Sequence, residues 1–261
     1  MNAVNKTLYI PLYGKAYVSR RGLLLQDPKA EEIWQKEGFA LRGKAASRFL
    51  AYSMAMRSRV FDEALAEALE KDPDAVVLHL GCGMDSRVLR VENRGSRWYD
   101  VDFPAVIEER SRYFRETDCY RMIGGDVSGE AWMQAVPQGE SAVVVMEGLS
   151  MYLPRQALKD LLGRLRCRFE RITVLMDCYS EFAAKASRHR NPINSVGVTQ
   201  VYGLDDPKVL EEGTGLSFVR EWDMWPESLC KTLPGWDKKI FSGLYAGNTA
   251  RKLYRMYEFR G

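Results

Sequence analysis

Ala75-Val76-Val77-Leu78-His79-Leu80-Gly81-Cys82-Gly83-Met84-Asp85-Ser86 is the stretch that decides the fold. Residues 75–80 form an apolar run of strand length. Such a run fits a strand covered on both faces, as in a parallel sheet. Gly81-Cys82-Gly83 then turns the chain, and Asp85 is placed to cap a helix from Ser86 to about Val91. Upstream, Asp72-Pro73-Asp74 ends a long helix predicted from about Lys44 to Glu70, and a shorter helix is predicted from Asp27 to Lys36. The long helix carries an apolar stripe of Leu50, Met54, Phe61, Leu65 and Ala68, at helical spacing. Arg57 falls on that stripe. A guanidinium aimed at a core requires an anion or several acceptors, because an unpaired buried charge is very costly.

Downstream, strands are predicted near Arg97–Val101, Tyr120–Ile123, Ala142–Met146 and Ile172–Met176. Helices are predicted at Ala105–Glu116 and Pro154–Phe169 between them. The alternation predicts an α/β fold with a doubly wound, mostly parallel sheet. Leu216–Trp222 and Lys252–Phe259 read as a late strand pair around a helical stretch near Trp236–Tyr245. Residues 183–204, rich in Asn, Ser, Gly and basic side chains, read as a lid insertion over the strand ends. The reading is one domain over 1–261, with a helical cap at 1–74 and the core at 75–261.

Composition narrows the function. The 261 residues carry 38 Lys and Arg against 35 Asp and Glu, a formal charge of +3, and 46% of them are hydrophobic. That excludes a largely disordered chain and is too weakly basic for a nucleic-acid footprint. Cys82, Cys119, Cys167, Cys178 and Cys230 are odd in number and widely spaced, which argues against a disulfide framework and a zinc site. His79 and His189 make no metal-ligand pattern, so no metal is expected. The opening Met-Asn-Ala-Val-Asn-Lys has no signal-peptide pattern. Ala142–Met146, the longest uninterrupted apolar run, is far short of the ~20 residues of a membrane span. The expected address is the cytoplasm.

In open α/β sheets, ligands bind beyond the carboxyl ends of the strands. Here those ends carry Gly81-Cys82-Gly83, Asp102, Asp126 and Glu147. A dinucleotide site wants a third glycine, and this chain has Ser86 there, behind Asp85, an anion that would repel a phosphate. The loop suits a phosphate-free adenosine ligand, and S-adenosylmethionine fits. Asp102 can accept both ribose hydroxyls. Asp126 can accept from the adenine amino group beside the Val127 backbone, and Glu147 can neutralise the amino end. The carboxylate needs a cation, and Arg57 offers a fork that matches it.

Leu80-Gly81-Cys82-Gly83-Met84-Asp85-Ser86-Arg87, Tyr99-Asp100-Val101-Asp102-Phe103-Pro104 and Glu147-Gly148-Leu149-Ser150-Met151-Tyr152-Leu153 resemble the leucine carboxyl methyltransferase family. Met56–Asp62 resembles that family's Arg-Thr-x-x-Phe/Ile-Asp segment, and Thr7–Ala16 and Tyr202–Pro207 resemble its polyketide O-methyltransferase branch. The resemblance implies a Rossmann-like, S-adenosylmethionine-dependent enzyme. It implies that Arg57 binds the cofactor carboxylate with Lys15 assisting, and that Gly81, Cys82 and Gly83 lie beside the methionine part. It further places Asp102 and Phe103 at the ribose, Asp126 and Val127 at the adenine, and Glu147 near the amino end. At His79, many methyltransferases place an acidic residue; His79 reads instead as a satisfied strand histidine.

The expected reaction is methyl transfer to a carboxylate or phenolic oxygen of a small molecule, the polyketide type included. A carboxylate needs no general base, whereas a hydroxyl does. Tyr152, Tyr202 and Arg188-His189-Arg190 are candidate substrate contacts. The rival readings are a protein C-terminal carboxyl methyltransferase, a nicotinamide-dependent oxidoreductase and a non-catalytic S-adenosylmethionine-binding protein.

Overall fold

The structure is a computed structural model that describes residues 8–38, 41, 43–92, 95–190 and 200–261, with backbone alone for Lys44 and 188–190. The apolar run becomes β1 (Val76–Leu80), buried at every position. It lies parallel to β2 (Trp98–Asp102) and β4 (Gly139–Met146). β3 (Tyr120–Gly124) and β5 (Phe169–Tyr179) extend the parallel set outward. With β6 (Ser217–Trp222) and β7 (Tyr254–Arg260), the seven-stranded order is 3-2-1-4-5-7-6. β7 runs antiparallel to both neighbours, β5 and β6. The order reverses between β1 and β4, so the loops leaving those two strands part and open a crevice.

Alternation along the strands sorts the core into two faces. Val77, Val143, Val145, Leu175 and Met256 face helices α1 (Tyr9–Ser19), α2 (Pro28–Glu37) and α3 (Arg48–Lys71). Leu78, Val144, Met146, Val174 and Met176 face Leu158, Leu161, Leu162 and Leu165 of α6 (Arg155–Arg168). The N-terminal third is therefore one of the two helical layers of the sheet. The sequence reading assigns no helix at α1. This helix packs closely on α3 because Gly14 has no side chain: a Cβ there would lie 2.9 Å from Met54 Cβ.

Several boundaries differ from expectation. α3 starts at Arg48, after a 3-10 turn over Gly43–Ala46. α5 (Pro104–Arg110) stops short of Glu116, where Ser111 Oγ donates to the Glu108 carbonyl and competes with the helix. β5 begins at Phe169, before the expected Ile172, and its exposed Glu170 and Arg171 hide the strand from an apolar reading. Asp85 is no cap. The helix α4 (Arg87–Arg90) has Ser86 at its N-cap without a side-chain cap bond, and Asp85 is drawn to cations instead. Between β6 and β7 lie three short helices, α8 (Glu227–Lys231), α9 (Asp237–Leu244) and α10 (Asn248–Leu253). Of the expected lid, residues 183–190 belong to α7 (Glu181–Arg190), Gly203 bridges to Tyr179, and 191–199 lie outside the described residues. Met1–Lys6 lies outside them too. Among the described residues, no helix is long and apolar enough to cross a membrane.

Candidate active site

The crevice between β1 and β4 holds a cavity of about 220 Å³. Of the residues singled out in the sequence, Lys15, Arg57, Gly81, Cys82, Gly83, Glu147 and Tyr152 line it together. α1 supplies Lys15 and α3 supplies Arg57, from the layer above the strand ends. Gly81 and Gly83 both take positive φ, 66° and 51°, a conformation that costs side-chain-bearing residues. A Cβ on Gly81 would also lie 3.1 Å from Leu149 Cδ1. Gly81→Ala is therefore expected to cost about 1–2 kcal/mol of stability. Chemical denaturation reads that loss as a lower midpoint at unchanged slope.

Arg57 is the stripe cation, and the fold gives it partners. Its Nε donates to Glu147 Oε1 at 2.8 Å and its Nη1 to Tyr254 Oη at 2.7 Å, with Asp177 Oδ2 at 3.6 Å. Glu147 also accepts from Ser58 Oγ at 2.9 Å and from Arg87 Nη2. Arg87 reaches Asp62 at 2.7 Å, and Arg90 joins Asp62, Asp27 and Asp85. Lys15 pairs with Asp85 at 3.0 Å. Asp85 is thus a compensated anion, which removes the charge argument against a phosphate ligand; the missing third glycine still stands. Burial opposes the Asp85 charge, but Arg90, Lys15 and Arg87 hold its carboxyl well below the usual range. Burial likewise opposes ionised Glu147, but Arg57 and Arg87 pull it down to about 2. Asp177 goes the other way. Burial pushes it up to about 6 because Arg57 and the Tyr254 hydroxyl compensate it incompletely and Glu147 repels it.

His79 is satisfied on both nitrogens. Nδ1 lies 3.2 Å from Asp100 Oδ1, and Nε2 accepts from Arg87 Nη1 at 3.1 Å. Burial raises the Cys82 thiol well above its ordinary value, so it is no nucleophile.

The remaining candidates sit outside the cavity. Asp102 ends β2, where Oδ2 accepts from the Gly83 N–H at 2.8 Å and Oδ1 from the Phe103 N–H at 2.7 Å. Burial raises its carboxyl despite those bonds. The Phe103 ring is exposed. Asp126 is exposed after β3 and accepts from the Ser128 N–H at 2.9 Å, while Val127 is buried. These four lie at or just beyond the carboxyl ends of β2 and β3, tied by the Gly125 N–H to the Asp102 carbonyl at 2.8 Å. Tyr202 does not join Tyr152. It lines a second cavity of about 430 Å³ with Ser150 and Cys178. The side chains of Arg188, His189 and Arg190 lie outside the described residues.

Sequence reading missed Asp177, Tyr179 and Tyr254 as parts of this site. Asp177 ends a predicted strand, so the rule that selected Glu147 could have found it. Tyr254 carries no such signal, because it arrives on the antiparallel strand, 197 residues from Arg57.

Solved structures share this architecture. A methyltransferase from Thermobifida fusca described as putative aligns with a TM-score of 0.59 at 13% identity, covering 95% of this chain and 93% of that one. Magnesium protoporphyrin IX methyltransferase from Synechocystis, solved with bound S-adenosylhomocysteine, aligns at 0.51 and 10% identity, over 88% and 93%. At these identities the likeness is one of fold. The leucine carboxyl methyltransferase family profile matches residues 12–166. The tetracenomycin polyketide synthesis O-methyltransferase TcmP of Streptomyces glaucescens is 31% identical over 263 residues, 99% of this chain and 97% of the relative. The S-adenosyl-L-methionine-dependent methyltransferase dpfgK of Gibberella zeae is 31% identical over 64% of this chain and 61% of its own. The fold and its relatives define a class I S-adenosylmethionine-dependent methyltransferase. Within that class, the chain belongs to the leucine carboxyl methyltransferase family.

Proposed function

We propose that this enzyme methylates a carboxylate or phenolic oxygen of a small, polyketide-type metabolite, and that the carboxylate is the preferred acceptor. The observation that carries the reading is the cavity wall. Tyr152, Tyr179 and Tyr254 join Leu8, Met54 and Met151 around the site, an aromatic and apolar wall beside the methionine end of the cofactor, against which a small planar acceptor can meet the methyl group. The near full-length likeness to TcmP supports the same class of acceptor. Within the cavity lining, both His79 nitrogens are engaged and the Cys82 thiol is held protonated, which favours an acceptor that arrives already ionised.

The residues fit the cofactor. Arg57 and Lys15 would hold its carboxylate, and the glycine turn would pass beside its methionine part. Glu147 would lie near the amino end. Asp102 keeps lone pairs beyond its two backbone bonds for ribose hydroxyls. Phe103, Asp126 and Val127 would flank the ribose and adenine. The cavity volume, about 220 Å³, is below the ~300–1,000 Å³ of whole-ligand pockets, as befits a site that takes one end of an extended ligand. S-adenosylmethionine supplies a methyl group already activated on sulfur. The chain's own task is to hold that methyl and the acceptor oxygen about 3–3.5 Å apart and in line.

Titration calorimetry tests the cofactor half. S-adenosylhomocysteine is expected to bind in the micromolar range, and NAD to give no heat of binding. Labelled methyl transfer to a lysate, separated into protein and small-molecule fractions, tests the acceptor. Label in the small-molecule fraction that alkali releases supports an ester product; label confined to protein overturns the small-molecule reading.

A further inference from the structure

Arg57 faces two carboxylates of unequal standing. Glu147 shares its charge with a second guanidinium, Arg87, and accepts from Ser58. Asp177 is wholly buried, and its close partners are neutral: the Tyr254 hydroxyl and the Gly148 N–H, the latter at 2.7 Å from Oδ1. The Arg57 guanidinium reaches it only at 3.6 Å, and Tyr254 Oη sits between them, accepting from Nη1 and donating to Oδ2. Among the described residues, Arg57 is the cation that acts on Asp177, and the other groups facing it are neutral or acidic. The turn after β4 brings Glu147 and Tyr152, the Ser150 hydroxyl is spent on the Asp177 carbonyl, and β5 itself brings Cys178 and Tyr179. Asp177 and Tyr254 both lie outside the segment matched by the family profile.

We propose that Asp177 and Tyr254 are positioning residues for Arg57, and that Asp177 takes up a proton when the cofactor's α-carboxylate arrives on that guanidinium. The inference rests on reading the cavity as the methionine end of the cofactor site. A third carboxylate at one guanidinium adds negative charge beside buried side chains, and repulsion falls on the carboxylate with the least cationic compensation. That is Asp177. The proton comes from the solvent and lands on its carboxyl, leaving Arg57 to Glu147 and the ligand. Burial already lifts Asp177 to about 6, so a modest further rise carries it through neutrality. Binding then favours the protonated enzyme, and affinity declines as pH rises.

The test titrates S-adenosylhomocysteine into the full chain near pH 7, in two buffers of different ionisation enthalpy, and repeats the affinity from about pH 5.5 to 8. Wild type is expected to take up most of a proton per ligand near pH 7, with affinity weakening by up to about tenfold per pH unit. Asp177→Asn should give buffer-independent heats, apart from any share of the ligand's amino group, and a nearly flat affinity. Tyr254→Phe removes the hydroxyl that favours the ionised carboxylate, so its proton uptake should shift to higher pH. A merely structural role for Tyr254 would change affinity and leave that profile in place. Should Asp177→Asn fail to fold, the Tyr254→Phe profile decides. Equal heats in the wild type, an uptake that survives in Asp177→Asn, or an unshifted Tyr254→Phe profile overturns the proposal. If S-adenosylhomocysteine does not bind the wild type at all, the cofactor reading itself falls.

Discussion

Replacing Arg57 by alanine weakens S-adenosylhomocysteine binding by about 2 kcal/mol or more, roughly thirtyfold, when measured by titration calorimetry. The proposed carboxylate contact is a charged hydrogen bond to a guanidinium that is itself buried, and charge-assisted bonds are the strong ones. The same substitution strips Glu147 and Asp177 of their shared cation. Removing one partner of a buried ion pair costs about 3–5 kcal/mol because the other is left uncompensated. For a chain of this length, that lowers the thermal midpoint by roughly 6–20 °C. Arg57→Lys separates the two effects. It returns charge to the buried carboxylates and so recovers part of the stability, but it lacks the planar fork and recovers less of the affinity. An Arg57→Ala protein that binds S-adenosylhomocysteine as tightly as wild type would show that the ligand's carboxylate lies elsewhere.

Arg110→Met is expected to cost about 3–5 kcal/mol of stability. Arg110 and Asp100 are both wholly buried and paired, and Arg110 also donates to Tyr120 Oη at 3.2 Å and to the Gly83 carbonyl at 3.0 Å. Its guanidinium carbon stands 3.9 Å from the Phe114 ring centroid. Methionine fills similar volume and leaves Asp100 with Trp98, Tyr120 and His79 but no guanidinium. Denaturant unfolding should read the loss directly. Arg110→Met combined with Asp100→Asn should recover part of it, because the stranded charge is gone; a double variant no more stable than the single one would contradict the charge argument. The Gly83 carbonyl bond gives the single variant a second readout. A loosened glycine turn should lower cofactor affinity, although Arg110 is not among the residues lining the cavity.

These two arginines show where sequence reading reached and where it stopped. Arg57 was visible as a charge on an apolar stripe, so a need for an anion could be stated without knowing the anion. Its partners could not be named: Glu147 and Tyr254 stand 90 and 197 residues away. Arg110 carried no signal at all, because one arginine near the end of a polar helix reads as solvated. Asp85 misled for a related reason. Its position before a short helix matches a cap, yet Lys15 from α1 and Arg90 from α4 compete for it and win, since an ion pair out of water outweighs a local capping bond.

What the sequence determined by itself was local. Runs of buried strand length, glycine turns and acidic residues at strand ends depend on neighbours a few positions apart, so the parallel core, the crevice loops and the cofactor class followed from them. The tertiary structure alone decided which charges meet. The antiparallel β7, inserted between β5 and β6, brings Tyr254 to Asp177 and Arg57, and the helical layer lowers Lys15 and Arg57 onto the strand ends. Ion pairing acts through space and is indifferent to separation along the chain, so no pattern in the sequence could have reported it.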